Sequence, residues 1–195
     1  MKKITFKDIL VPAISLFLIC VVVSALLATT NELTKEPIAQ IAAQKQADAM
    51  ESVCPDAQSF EKQESADLEA YAALSADGRL VGYAISSSYK GYGGDVGIMV
   101  GFDLDGNVTG VEILSCDETP GLGANCTKTE FTDMYKQAIP ESGDFTVVKD
   151  SSGGSDGKID ALTGATITSN AVTEAVNKAI DTYNSLSLMV KGGAD

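Results

Sequence analysis

The chain has 195 residues and a mass of 20.3 kDa, the size of one ordinary domain with an appendage. Lys+Arg 14 against Asp+Glu 27 gives a net charge of −13, which lacks the basic footprint that nucleic acid needs. Histidine is absent, which excludes a Ser-His-Asp triad, HExxH zinc chemistry and His-ligated haem or copper.

From Ile9 to Thr30 the sequence carries no charged residue, a run of 22 positions that is long enough to cross a bilayer of ~30 Å. A retained anchor is the reading favoured here over a cleaved signal, whose apolar region normally spans only ~7–15 residues. Lys2, Lys3 and Lys7 precede the span and place the N-terminus on the cytoplasmic side, with the remainder extracytoplasmic. That outer part keeps 11 basic and 26 acidic residues, net −15, which suits a solvated domain rather than one lying on anionic lipid.

After the span, Thr34 and Pro37 read as the start of a separate helix ending near Met50, closed by Cys54-Pro55. The acidic stretch from Ala57 to Glu69 reads as a loop or frayed helix. Asp77-Gly78 and Asp105-Gly106 are hairpin signals, followed by the apolar runs Leu80 to Ser86 and Val108 to Leu114. Asp95 to Phe102 lies between them as a further strand, so an antiparallel meander is expected. Phe131, Met134, Tyr135 and Ile139 predict a short amphipathic helix, and Phe145 to Lys149 a strand. The SSGGSDG loop follows. Val172, Ala175, Val176, Ala179, Ile180 and Tyr183 make one stripe of a final helix, with Thr168 or Ser169 as its N-cap. Strands grouped before helices indicate an α+β fold: an antiparallel sheet packed with helices, preceded by a single N-terminal transmembrane helix. The expected divisions are 1–8 cytoplasmic, 9–30 anchor, 31–56 juxtamembrane helix and linker, and 57–195 outer domain.

GYGGDVG at Gly91 to Gly97 lacks the GxGxxG spacing and leads into a strand, so its glycines read as turn residues. Asp150 to Asp160 lacks the alternating acidic ligands of a calcium loop and also reads as a turn. Asn107-Val108-Thr109 and Asn125-Cys126-Thr127 match the glycosylation sequon. Cys116 and Cys126 are open to two readings, a disulfide or a pair of free small side chains.

Two segments carry more chemistry. Glu118-Thr119-Pro120-Gly121-Leu122-Gly123 is a compact turn whose small residues allow a flat ligand to approach the backbone; an ordinary loop is the plainer reading. Asp160-Ala161-Leu162-Thr163-Gly164-Ala165-Thr166-Ile167-Thr168-Ser169 leads into the final helix, where free N–H groups favour a phosphate; the plainer reading is a hydroxyl-rich cap.

Together these segments resemble a known family. Thr163-Gly164-Ala165-Thr166 within DALTGATITS is similar to the flavinylation motif of FMN-binding domains, Glu118 to Gly123 resembles their ETPGLG segment, and GYGG at Gly91 to Gly94 fits the stretch before it. With the single anchor, the chain resembles the G subunits of Rnf ion-translocating electron-transport complexes. It is also similar to their relatives, the C subunits of sodium-pumping NADH:quinone oxidoreductases. The departure is Thr163, where Ser is common. The resemblance implies FMN joined by a phosphoester to Thr166, placed there by a separate flavin transferase that uses FAD. Asp160, Thr163, Gly164 and Ala165 would position that hydroxyl, Thr168 would bind phosphate, and Glu118, Thr119, Pro120, Gly121, Leu122 and Gly123 would approach the isoalloxazine ring. It further implies electron relay among the membrane subunits of a complex coupling ferredoxin/NAD chemistry to Na⁺ or H⁺ transport. The alternatives are a quinone-reductase C-like component, a cell-surface binding module without flavin, and a stand-alone flavin reductase.

Overall fold

The computed structural model describes residues 6–64, 68–150 and 152–192. Lys2, Lys3, Ser151 and positions 65–67 of the acidic stretch therefore lie outside the described residues. The chain divides into two units, 1–44 and 45–195.

Helix α1 is continuous over Phe6–Val53, with Pro12 and Pro37 both inside it. The separate helix start expected at Thr34 does not occur. The Thr34 hydroxyl, which would have capped a new helix, instead donates back to the Thr30 carbonyl at 2.9 Å. Within the first unit, the helix contains a stretch of mean hydropathy 2.8 with none of it buried, so it is long and apolar enough to cross a membrane. Three of its hydroxyls bond back to the helix backbone: Ser15 donates to Val11 O, Thr29 to Ala25 O and Thr30 to Leu26 O, at 2.8 to 3.0 Å. Such bonds lower the cost of placing an O–H in an apolar medium.

In the second unit, strands β1 (Ser59–Gln63), β2 (Glu69–Leu74), β3 (Leu80–Lys90), β4 (Asp95–Asp103) and β5 (Val108–Ser115) form one antiparallel sheet in chain order. The expected meander is present, and β1 adds a strand within the stretch read as a loop. Gly78 and Gly106 take φ of 73° and 89° at the two Asp-Gly turns, a conformation open to glycine at little cost. After the sheet come a 3-10 turn (Gly123–Thr127), the short helix α2 (Thr129–Thr132), a second 3-10 turn (Asp133–Tyr135), strands β6 (Thr146–Val148) and β7 (Lys158–Asp160), and helix α3 (Thr166–Gly192). The amphipathic helix expected over 131–139 is thus a single turn that tightens, although Phe131 and Tyr135 are buried as its spacing required. Strands β6 and β7 pair in parallel, a contact absent from the sequence expectation.

Period-two alternation splits the sheet's side chains between two cores. Tyr83, Ile85, Ile98, Val100 and Phe102 face the stripe Val172, Ala175, Val176, Ala179, Ile180 and Tyr183 of α3, and Phe102 stacks on Tyr183 at 4.8 Å. Ala73, Ala84 and Met99 face the other way, against Ala49, Val53 and Cys54 at the end of α1. That approach is close. Side chains are missing at Gly101 and Gly110, and a Cβ at Gly101 would collide with the Val53 carbonyl, which accepts a hydrogen bond from Thr109 Oγ1.

Burial pushes the Cys54 thiol up to about 11 from an ordinary value of 9.0. A group whose folded pKa is raised stabilises the fold below its unfolded pKa and stops doing so as pH rises through the folded value. Stability should therefore fall between pH 9.0 and about 11 through this thiol. Urea midpoints measured in reductant across that range should fall more steeply for wild type than for Cys54→Ala. Equal slopes would show that Cys54 makes no such contribution.

Candidate functional site

The site is assembled around Glu118. This carboxylate follows β5, is 7% exposed, and accepts three hydrogen bonds. Tyr92 N and Gly93 N donate to Oε1 at 2.7 and 3.2 Å, and Thr168 Oγ1 donates to Oε2 at 3.0 Å. One side chain thus ties together the glycine turn between β3 and β4, the ETPGLG loop and the first turn of α3. Charge-assisted bonds of this kind are the stronger class, and a buried carboxylate requires them.

The glycines around it follow from close approach. A Cβ at Gly91 would meet Glu118 Oε1, and one at Gly93 would meet the Asp117 carbonyl. At Gly123 it would lie 2.6 Å from both Glu118 Oε2 and Thr168 Oγ1. Gly123→Ala should therefore destabilise the domain by about 1–3 kcal/mol, because neither partner can retreat without losing its bond. A thermal midpoint unchanged from wild type would contradict this packing.

Before α3, Gly164 takes φ of 73°, and Ala165 N donates to Leu162 O at 2.9 Å, turning the chain into the helix. The helix begins at Thr166, two to three residues ahead of the expected cap. Both candidate caps have other partners. Ser169 Oγ accepts from Leu162 N at 2.9 Å and donates to Ala165 O at 3.1 Å, while the Thr168 hydroxyl is turned to Glu118. The N–H groups of Thr166, Ile167 and Thr168 open the helix and so have no intrahelical acceptor.

Beside this helix start lies a cleft of about 670 Å³, lined by Tyr92, Glu118, Thr119, Leu122, Gly123 and the run 164–168. Of the residues singled out from the sequence, Glu118, Thr119, Leu122, Gly123, Gly164, Ala165, Thr166 and Thr168 meet here. Pro120, Gly121 and Thr163 are exposed, and all three lie outside the lining. Asp160 is also outside it. Its Oδ1 accepts from Gly153 N at 2.9 Å and holds the loop before β7. Sequence reasoning missed Tyr92 and Ile167, which are 73% and 56% exposed and give the rim apolar surface. Tyr92 had one available signal, its place inside GYGG; nothing in the spacing marks Ile167.

Residues 91–181 match the model of the FMN-binding domain, and residues 1–53 match that of the RnfG N-terminal region. The G subunit of the Na(+)-translocating ferredoxin:NAD(+) oxidoreductase complex of Acetobacterium woodii is 32% identical over 201 residues, covering 95% of this chain and 96% of the relative. The corresponding polypeptide of the proton-translocating complex of Clostridium ljungdahlii is 36% identical, covering 86% and 87%. Among solved structures, Shewanella oneidensis NqrC matches with a TM-score of 0.53 at 20% identity over 73% of each chain, which shows a shared fold. Both matched regions and the near full-length similarity to these relatives thus agree on one group of proteins: the chain belongs to the RnfG family, the G subunits of ion-translocating ferredoxin:NAD(+) oxidoreductase complexes.

Proposed function

We propose that this chain is the membrane-anchored flavoprotein of an Rnf-type complex, carrying FMN on Thr166 through a phosphoester and relaying electrons within the complex. The observation that supports this most is the position of Thr166. It opens α3 at a cleft that also receives the ETPGLG loop, so an attached phosphate would meet the unpaired N–H groups of the helix start. The cleft fits a flavin on its own chemistry. Gly123 and Gly164 leave the backbone approachable, Tyr92, Leu122 and Ile167 offer apolar surface to a planar ring, and about 670 Å³ is ample for a ring system of that size.

When bound, FMN supplies the redox chemistry, accepting and donating electrons singly or in pairs. The chain's residues tether and surround it. In maturation, a flavin transferase would direct Thr166 Oγ onto the flavin-side phosphorus of FAD; the P–O bond to the AMP phosphate breaks, AMP leaves, and the hydroxyl proton passes to a base. Asp160 and Thr163 lie outside the cleft, so their part is to shape the segment presented to the transferase, with Gly164 and Ala165 giving it room. Thr168 acts through its N–H at the helix start and through its hydroxyl on Glu118. Glu118, Thr119, Leu122 and Gly123 set the wall on which the ring would rest, and Pro120 and Gly121 form the turn that joins them.

The proposed arrangement keeps residues 1–8 cytoplasmic, 9–30 in the membrane, 31–56 as a juxtamembrane segment and 57–195 outside, supported by the three lysines before the span and the acidic remainder. Its partners are the other membrane subunits and, during maturation, the transferase. The coupled ion is Na⁺ or H⁺, the two that the relatives' names carry. Membranes from cells lacking this chain should lose NAD⁺ reduction by reduced ferredoxin, and wild type supplied in trans should restore it. Undiminished activity without the chain would refute the assignment and favour a surface module without flavin.

A further inference from the structure

Cys116 and Cys126 stand at the two ends of the loop that carries Glu118. Cys116 directly follows β5, and Cys126 lies in the 3-10 turn Gly123–Thr127, with nine residues between them. Their Sγ atoms are 3.3 Å apart, with Cys116 half-buried and Cys126 buried. The other two cysteines are elsewhere: Cys54 packs on the opposite core of the sheet, and Cys20 is exposed within the apolar stretch of α1. Thiols so placed need only a small rotation to bond, and the cleft loop needs such a tie because Pro120, Gly121 and Leu122 at its tip are exposed.

We propose that Cys116 and Cys126 form a reversible disulfide that staples the cleft loop, residues 117–125, to the end of β5. The oxidant is a small-molecule disulfide. Cys116 thiolate attacks one of its sulfurs, the small S–S bond breaks, and one thiolate leaves. Cys126 then loses its proton and attacks the Cys116 sulfur, expelling the second thiolate. Two protein thiols are oxidised by two electrons, and the small disulfide is reduced to two thiols that take up the two protons. Cys116 opens the exchange at neutral pH because it is reachable, whereas burial pushes the Cys126 thiol up to about 12. The closed form fixes the peptide around Glu118 while its carboxylate holds Tyr92 N, Gly93 N and Thr168 Oγ1.

The test uses the full chain in detergent micelles, incubated with oxidised glutathione, quenched with N-ethylmaleimide and mapped by mass spectrometry. The expected result is a linked Cys116–Cys126 pair, two hydrogens lighter, that dithiothreitol reopens. The oxidised chain should melt about 5–10 °C above the reduced chain. Cys116→Ser should abolish both the link and the shift while melting like the reduced wild type. Alkylation of both cysteines after oxidation, a glutathione adduct that persists on Cys116, linkage to Cys54 or Cys20, or linkage without a thermal shift would each overturn the proposal. The bond needs no flavin, so chain made without a transferase serves, and failure of the flavin assignment leaves this outcome unchanged.

Discussion

Thr166→Ala should abolish flavin fluorescence in the denatured protein band when the full chain is matured alongside a flavin transferase, while wild type remains fluorescent. The effect is a complete loss because the substitution removes the only atom that the proposed phosphoester can use. The fold should survive it. Thr166 is half-buried at the first position of α3, and alanine is favourable in a helix, so the melting temperature should stay within a few degrees of wild type. Thr168→Ala makes the comparison: it leaves the hydroxyl at 166 and removes the donor to Glu118, so the band should stay fluorescent. Fluorescence retained in Thr166→Ala, or lost only in Thr168→Ala, would move the attachment to another residue.

The second large effect is structural. Glu118→Ala strips the acceptor from Tyr92 N, Gly93 N and Thr168 Oγ1 together, in a place that is 7% exposed. The Thr168 hydroxyl is buried, and leaving it without a partner costs about 1–3 kcal/mol, whereas Tyr92 and Gly93 are exposed and their N–H groups regain water; with the lost charge-assisted bonds, a loss of about 2–4 kcal/mol is expected. On a domain of this size, that lowers the melting temperature by about 5–15 °C. Glu118→Gln should fall between the two, since its amide oxygen still accepts but its NH₂ confronts a donor. Combining Glu118→Ala with Thr168→Ala should give less than the sum of the single losses, because the two side chains share one bond. Strict additivity would show that the Thr168–Glu118 bond contributes nothing.

Much of this was legible in the sequence because the signals were periodic or motif-bound. The stripe from Val172 to Tyr183 is buried as its spacing required, and the Asp-Gly pairs at 77–78 and 105–106 turn the chain as expected. The TGAT and ETPGLG segments, about 40 residues apart in the chain, meet at one cleft. What escaped has physical causes. Strand β7 is three residues long, too short for any period to register, and it is defined by its pairing with β6. A proline with a threonine before it reads as a helix start, yet Pro37 sits inside α1 with the Thr34 hydroxyl bonded backwards. The cap at Thr168 or Ser169 failed because their hydroxyls were committed to Glu118 and Leu162, tertiary partners that local propensity does not contain. Glu118 was expected in the ETPGLG turn as a residue approaching the ring. Its role as the tie among three segments comes from burial, which a single sequence does not display.

The measurement that bears most directly on the central claim is a tandem mass-spectrometric peptide map of the full chain matured with a flavin transferase. The peptide containing Thr166 should carry FMN less one water, with fragment ions confining the addition to that residue. An unmodified Thr166, from cells in which the same transferase modifies an authentic acceptor, would contradict it, as would an adduct on Thr163 or Thr168.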